Sequence, residues 1–324
     1  MRRPEEEIEM ARSILGFAAI AVILAAGLFL WFNFTNSDDH AEPSVEFEQM
    51  ASPYWSGADQ MVTVDGLPVR VRIEGPVDAP VLVMIHGFSF SLETWDSWAS
   101  ELRQDYRIIR MDLPGHGLTG PDPQTRYSVD QTVSLIGSML DALHIEDAIL
   151  VGNSLGGLVS WKLAVLRPYL VDRLVLIAPG AYSINGVTQT PVAVPAGVAF
   201  YLTQSPQIMI DAATASLFGD PSRMDPELPV RVGDLMRGEG VGQALVDRLT
   251  VFTLPDPVEE LTQIDQPTLV LWGALDVMVP VAHAERIVND LPAARLVIHD
   301  DLGHVPHEEA PEQTLVAVLD FLNE

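Results

Sequence analysis

Val151-Gly152-Asn153-Ser154-Leu155-Gly156-Gly157 follows the β-rich apolar run Asp147-Ala148-Ile149-Leu150-Val151. It precedes a helix-like segment, residues 158–166, that stops at Arg167-Pro168. The stretch therefore reads as strand, sharp turn, helix, with Gly152-x-Ser154-x-Gly156 at the turn. That is the form of a nucleophile elbow. Such a turn strains the serine backbone and needs small residues two positions either side, because side chains there would collide with strand and helix. The hydroxyl is then presented at the top of a sheet, and the next backbone N–H points at the same spot.

The flanking sequence repeats the alternation. Residues 61–64 and 69–73 alternate around Asp65-Gly66-Leu67-Pro68, a β-hairpin signal. Residues 81–85 form a continuous apolar run, as expected of a strand buried on both faces, and end at His86-Gly87-Phe88. A helix pattern follows over 95–102. Residues 107–111 read as the next strand and lead into Asp112-Leu113-Pro114-Gly115-His116-Gly117; 129–143 is helical. Another strand, 173–177, closes at Ala178-Pro179-Gly180. From 182 to 261 the chain reads as helices and loops: 192–202 is apolar with Pro195 and Gly197, and 208–217 and 241–250 are amphipathic. Strands resume at 268–272 and 295–299, with helices at 283–291 and 312–322. The pattern predicts an α/β fold with a mostly parallel central sheet and helices on both faces. Its core is residues 61–181 and 262–324, and residues 182–261 are a helical cap inserted at the C-terminal edge of the sheet, where loops carry function.

A serine hydroxyl becomes nucleophilic when a base takes its proton, and the base must be oriented by a third group. In an elbow-type sheet these partners follow in the order Ser, acid, His. Asp276 follows the strand ending at Trp272-Gly273, and His304 follows the last strand in Asp301-Leu302-Gly303-His304-Val305-Pro306-His307. Both would lie at the sheet edge of Ser154. Together the hairpin, His86-Gly87-Phe88, Asp112 to Gly117, the Ser154 elbow, Trp272-Gly273 with Asp276, and Gly303-His304 resemble the α/β-hydrolase superfamily. The resemblance runs from about residue 61 to the C-terminus and covers the cap. It implies the α/β-hydrolase fold, with Ser154 as nucleophile, His304 as base and then acid, and Asp276 as orienting carboxylate. It also implies an oxyanion hole from the backbone N–H groups of Phe88 and Leu155.

Rival residues fit other roles. His86 and His116 fix loops by hydrogen bonding. His307 lacks the preceding glycine at the strand end, and His299 lies within a strand. Asp300 and Asp301 make a solvated strand exit. Asp265 precedes its strand and so sits at the wrong edge, and Ala178-Pro179-Gly180 offers no carboxylate one strand earlier. Trp95 and Trp98 read as packing of their helix on the sheet. No H-E-x-x-H or Walker pattern occurs, and no metal or cofactor is expected.

Outside the core, residues 14–34 are almost wholly apolar and uncharged, long enough to cross a bilayer of about 30 Å. Arg2, Arg3 and Arg12 precede them, which predicts a cytoplasmic segment 1–13, a transmembrane helix over 14–34, a tether over 35–60, and a catalytic domain on the far side. Secretion after cleavage of a signal peptide is the competing reading. The net charge of −27, with Lys162 the only lysine, argues against nucleic-acid partners. The absence of cysteine excludes disulfides and thiolate chemistry.

The expected reaction is hydrolysis of carboxylic esters, with apolar acyl or aryl esters favoured by the apolar cap and the membrane tether. Hydrolysis of a carbon–carbon bond in a vinylogous diketone is the alternative, since such enzymes share the Gly-Asn-Ser-x-Gly-Gly elbow and a helical cap. A non-catalytic ligand-binding member of the fold is the third reading, opposed by the complete Ser–Asp–His set.

Overall fold

The computed structural model describes residues 53–324. The anchor expected over 14–34 and most of the tether lie outside the described residues. Among those described, no helix is long and apolar enough to cross a membrane.

Eight strands form one sheet in the order β1-β2-β4-β3-β5-β6-β7-β8. The hairpin is β1 (Asp59–Val64) and β2 (Leu67–Glu74). Its first strand begins inside the stretch assigned to the tether. The rest are β3 (Val81–Ile85), β4 (Arg107–Met111), β5 (Ala148–Asn153), β6 (Val171–Ile177), β7 (Thr268–Gly273) and β8 (Ala294–His299). β2 runs antiparallel to β1 and β4, whereas β4 through β8 are parallel.

Why the central strands read as unbroken apolar runs is plain from their parity. Successive side chains on a strand point to opposite faces. Val83, Leu150, Leu176 and Val270 pack in one core, with helices α2 (Val129–Ala142) and α3 (Leu155–Leu166). Leu82, Met84, Val151, Val175 and Leu269 pack in the other. That second core takes Trp98 and Leu102 from α1 (Asp96–Leu102) and Val318 and Phe321 from the C-terminal helix, Pro311–Leu322. Helix α2 starts at a capping box, in which Ser128 and Gln131 satisfy each other's backbone N–H groups.

Between β6 and β7 come α4 (Ala196–Gln204), α5 (Gln207–Ala215), α6 (Glu227–Met236), α7 (Val241–Val251) and α8 (Val258–Leu261). Helix α6 has no counterpart in the sequence reading. Pro229 and Gly233 obscure it, and its helical state rests on Leu228, Val232 and Met236 packing into the cap's own core. That core also takes in Phe90 and Val305, which follow the His86-Gly87-Phe88 loop and His304. The cap is thus packed onto two loops of the parallel edge. Helices α9 (Ala282–Asp290), α10 (Pro306–Glu309) and α11 (Pro311–Leu322) complete the chain.

Candidate active site

Ser154 occupies the turn between β5 and α3, with φ of 54° and ψ of −112°. A non-glycine residue rarely adopts positive φ, so this turn stores strain that the surrounding packing must hold. Its N–H donates to Ile177 O at 2.9 Å, and its carbonyl accepts from Gly180 N–H at 3.0 Å. A Cβ on Gly156 would fall 2.0 Å from Ile85 O, and one on Gly152 2.3 Å from Gly156 O. Only glycine lets α3 press this closely on the ends of β3 and β5. The helix begins at Leu155, not at 158 as the sequence pattern indicated, so the Leu155 N–H stands at its first turn. No side chain caps that end. Its N–H groups and the positive pole of the helix are therefore available to an anion.

The loop after β3 adjoins this turn. Leu113 N–H donates to His86 Nε2 at 2.9 Å, so His86 carries its proton on Nδ1, which donates to Gly87 O at 2.7 Å. The peptide unit is planar and trans. Pinning the Gly87 carbonyl toward His86 therefore turns the Phe88 N–H the opposite way. Burial lowers the His86 pKa to about 4, which keeps this neutral tautomer in place. A Cβ added to Gly87 would lie 3.4 Å from Ser154 Cβ, so this loop abuts the serine.

Asp276 follows β7 and His304 follows β8. Asp276 Oδ1 accepts from the N–H groups of Met278 and Val279, at 2.8 and 2.9 Å. Its Oδ2 accepts from His304 Nδ1 at 2.8 Å. The Asp276 carboxylate is fully buried and the His304 ring nearly so. Because Nδ1 is bound to a carboxylate, Nε2 is the atom left to accept a proton. The link from this pair to Ser154 is Asn153, whose side-chain amide donates to Ile177 O at 3.2 Å and to His304 O at 3.1 Å. Ser154 Oγ and His304 Nε2 are not hydrogen-bonded to each other. Such contacts commonly tighten only with substrate bound.

His307, His116, Trp95 and Trp98 fall where the sequence reading put them. His307 is buried, stacked on Trp95 at 4.5 Å with Nε2 against Thr94 Oγ1. Burial drives its pKa down to about 3, and neighbouring His304 acts in the same sense. His116 sits in its turn with Nδ1 donating to Pro114 O at 3.1 Å. Trp95 and Trp98 are core residues. Asp301 is more than a solvated exit, because it pairs with Arg223 of the cap at 2.7 Å.

Three features escaped the sequence reading. One is the role of Asn153, although its position in the elbow motif marked it. The second is a buried ion network: Arg70 of β2 bonds Asp59, Glu93 and Asp112. Asp112 in turn accepts from Leu92 N–H, and Glu93 from Ser91 Oγ, so the network fixes the chain just beyond Phe88. The alternating hairpin hid it, since the charges fall on positions that normally face solvent. The third is Glu309, which holds backbone of both His304's loop and the cap.

A family model described as "alpha/beta hydrolase fold" matches residues 80–311. The dihydrolipoyllysine-residue acetyltransferase component of the acetoin cleaving system of Pseudomonas putida is 31% identical over 272 residues, 82% of this chain and 69% of that protein. The pimeloyl-[acyl-carrier protein] methyl ester esterase of Nitrosomonas europaea is 28% identical, covering 75% of this chain and 96% of the esterase. The crystal structure of a hydrolase from Pseudomonas aeruginosa PA01 superposes with a TM-score of 0.70 at 27% identity, covering 83% of this chain and all of that one.

Proposed function

The chain belongs to the alpha/beta hydrolase family, and on that premise we propose that it is a serine hydrolase of carboxylic esters with apolar acyl or aryl groups, acting through an acyl-enzyme. The observation that carries this reading is the Asp276–His304 bond at 2.8 Å, tied through Asn153 to the strained Ser154 turn. In the proposed reaction His304 Nε2 takes the Ser154 Oγ proton as Oγ attacks the ester carbonyl carbon. The carbonyl oxygen becomes an oxyanion held by the N–H groups of Phe88 and Leu155, donors of a kind worth roughly 3–4 kcal/mol each. Asp276 stabilises the imidazolium that forms. Nε2 then protonates the departing alkoxide, leaving the acyl group on Oγ. Water hydrolyses that acyl ester by the same proton transfers. Phe88 and Leu155 are apolar, and the cap core reaches Phe90, which supports an apolar acyl or aryl group beside the serine.

The test is a panel of p-nitrophenyl esters of graded acyl length, with a vinylogous diketone included, run on the wild type and Ser154→Ala. Ester turnover that peaks at medium or long acyl chains and vanishes in the variant is expected. Turnover confined to the diketone would shift the assignment to carbon–carbon bond hydrolysis. We further read residues 14–34 as a membrane anchor, so the full chain should pellet with membranes and be released by detergent but not by alkaline carbonate. A full chain found in the soluble fraction would contradict the anchor.

A further inference from the structure

We propose that Glu309 is a positioning residue that welds the His304 loop to one segment of the cap, so that the seating of that segment sets the register of the base. The inference rests on the reading of His304 as general base. Glu309 lies in α10, and its side chain is buried. Its Oε2 accepts from Gly303 N–H at 2.8 Å and from Gly219 N–H at 2.9 Å, and its Oε1 accepts from Asp220 N–H at 2.8 Å. Gly303 immediately precedes His304, while Gly219 and Asp220 belong to the cap beyond α5. One carboxylate thus satisfies donors on both sides of the join, in bonds of the charge-assisted kind.

Two further contacts close the same join. His304 N–H donates to Leu217 O at 2.7 Å, so the backbone of the base residue is itself bonded to the cap. A Cβ on Gly303 would lie 2.3 Å from Leu217 O and 2.6 Å from Gly219 N, so the two backbones are in direct contact with no room for a side chain. At the surface, Arg223 and Asp301 bridge the same two segments. Neither N–H of residues 303 and 304 goes to the sheet. The His304 backbone is therefore held by the cap, by Glu309 and by the Asn153 amide. Residues 217–220 must stay in place while substrate enters, and access has to come from movement of other cap elements. Displacing 217–220 would carry the base away from Ser154.

Glu309→Gln separates positioning from packing. The amide keeps the volume, but one of its two ends is an NH2 that must face an N–H donor, so at least one of the three bonds is lost. The measurement is kcat, KM and the pH profile of ester hydrolysis by the full chain, alongside urea unfolding. Val318→Ala, a cavity in the second core, which contains none of the residues of this join, serves as the control for general destabilisation. The expected result is a fall in kcat of about 10- to 100-fold in Glu309→Gln with KM little changed. The ascending limb of the pH profile should be displaced as well, and Val318→Ala should keep wild-type kcat. A folded Glu309→Gln with wild-type kcat and pH profile would overturn the proposal, as would a kcat loss matched by Val318→Ala. If Ser154→Ala retains full activity, the serine mechanism fails instead, a different outcome from an inactive Ser154→Ala with an unimpaired Glu309→Gln.

Discussion

Each residue of the candidate site is held by an atom-level contact that predicts how its replacement fails. In Asp276→Asn, the amide oxygen can still accept from Met278 and Val279 N–H. Its NH2 must then face His304 Nδ1, which forces the proton to Nε2 and removes the acceptor that Ser154 needs. A kcat loss of about 10⁴-fold with an unchanged fold is expected, read from ester kinetics and circular dichroism. His86 makes a pH prediction. Its folded pKa of about 4 lies below the ordinary value of about 6.5, so the unfolded chain binds a proton that the folded chain does not. The sign follows from linkage: this contribution is fully present above pH 6.5 and is lost as pH falls toward 4, a change on the order of 3 kcal/mol. A histidine-by-histidine NMR titration should find His86 still neutral at pH 5, and titration near 6.5 would contradict the pinned tautomer.

At the scale of elements, what could be read from the sequence was local. The strands of the parallel sheet announce themselves because residues on both faces are buried, and the elbow because the glycines that permit it stand at fixed offsets from Ser154. Helix α6 did not announce itself, since Pro229 and Gly233 oppose helix formation and only packing against the rest of the cap supports it. Glu309 was equally silent: its partners Gly219, Asp220 and Gly303 contribute backbone N–H groups, which no side-chain pattern records. The same holds for Arg70, whose three carboxylate partners come from β1, from the turn after Phe88 and from the end of β4. Replacing Arg70 with Met would leave the buried Asp112 without its cation, with Asp59 and Glu93 sharing Arg72 alone. A loss of about 3–5 kcal/mol is expected in urea unfolding, far more than for an exposed pair such as Arg295–Glu324. A loss below about 1 kcal/mol would show that the network is not what joins the hairpin to the loop.

Over the whole molecule, the charge is lopsided: 45 Asp and Glu stand against 18 Lys and Arg. Among the described residues the buried arginines Arg70, Arg72, Arg110 and Arg248 are matched by the buried carboxylates Glu93, Asp112, Asp122 and Glu309, so the acidic excess lies at the surface. Self-repulsion on that surface is screened by salt, while the buried pairs are not. The melting temperature should therefore rise by a few degrees between about 20 mM and about 0.5 M sodium chloride, at about 2–4 °C per kcal/mol recovered. A melting temperature that falls with salt would place the decisive ion pairs at the surface. The sheet brings Ser154, Asp276, His304 and the Phe88 loop to one edge, and the cap packs on that edge through Phe90 and Val305. The central claim is that Ser154 is the nucleophile this architecture serves. It is tested most directly by treating the folded protein with a fluorophosphonate and mapping the adduct by intact and peptide mass spectrometry. One phosphonyl group on Ser154, absent in Ser154→Ala and much slower to form in Asp276→Asn, is the result expected. Folded protein that takes up no label, or takes it up elsewhere with Ser154 free, would contradict the account.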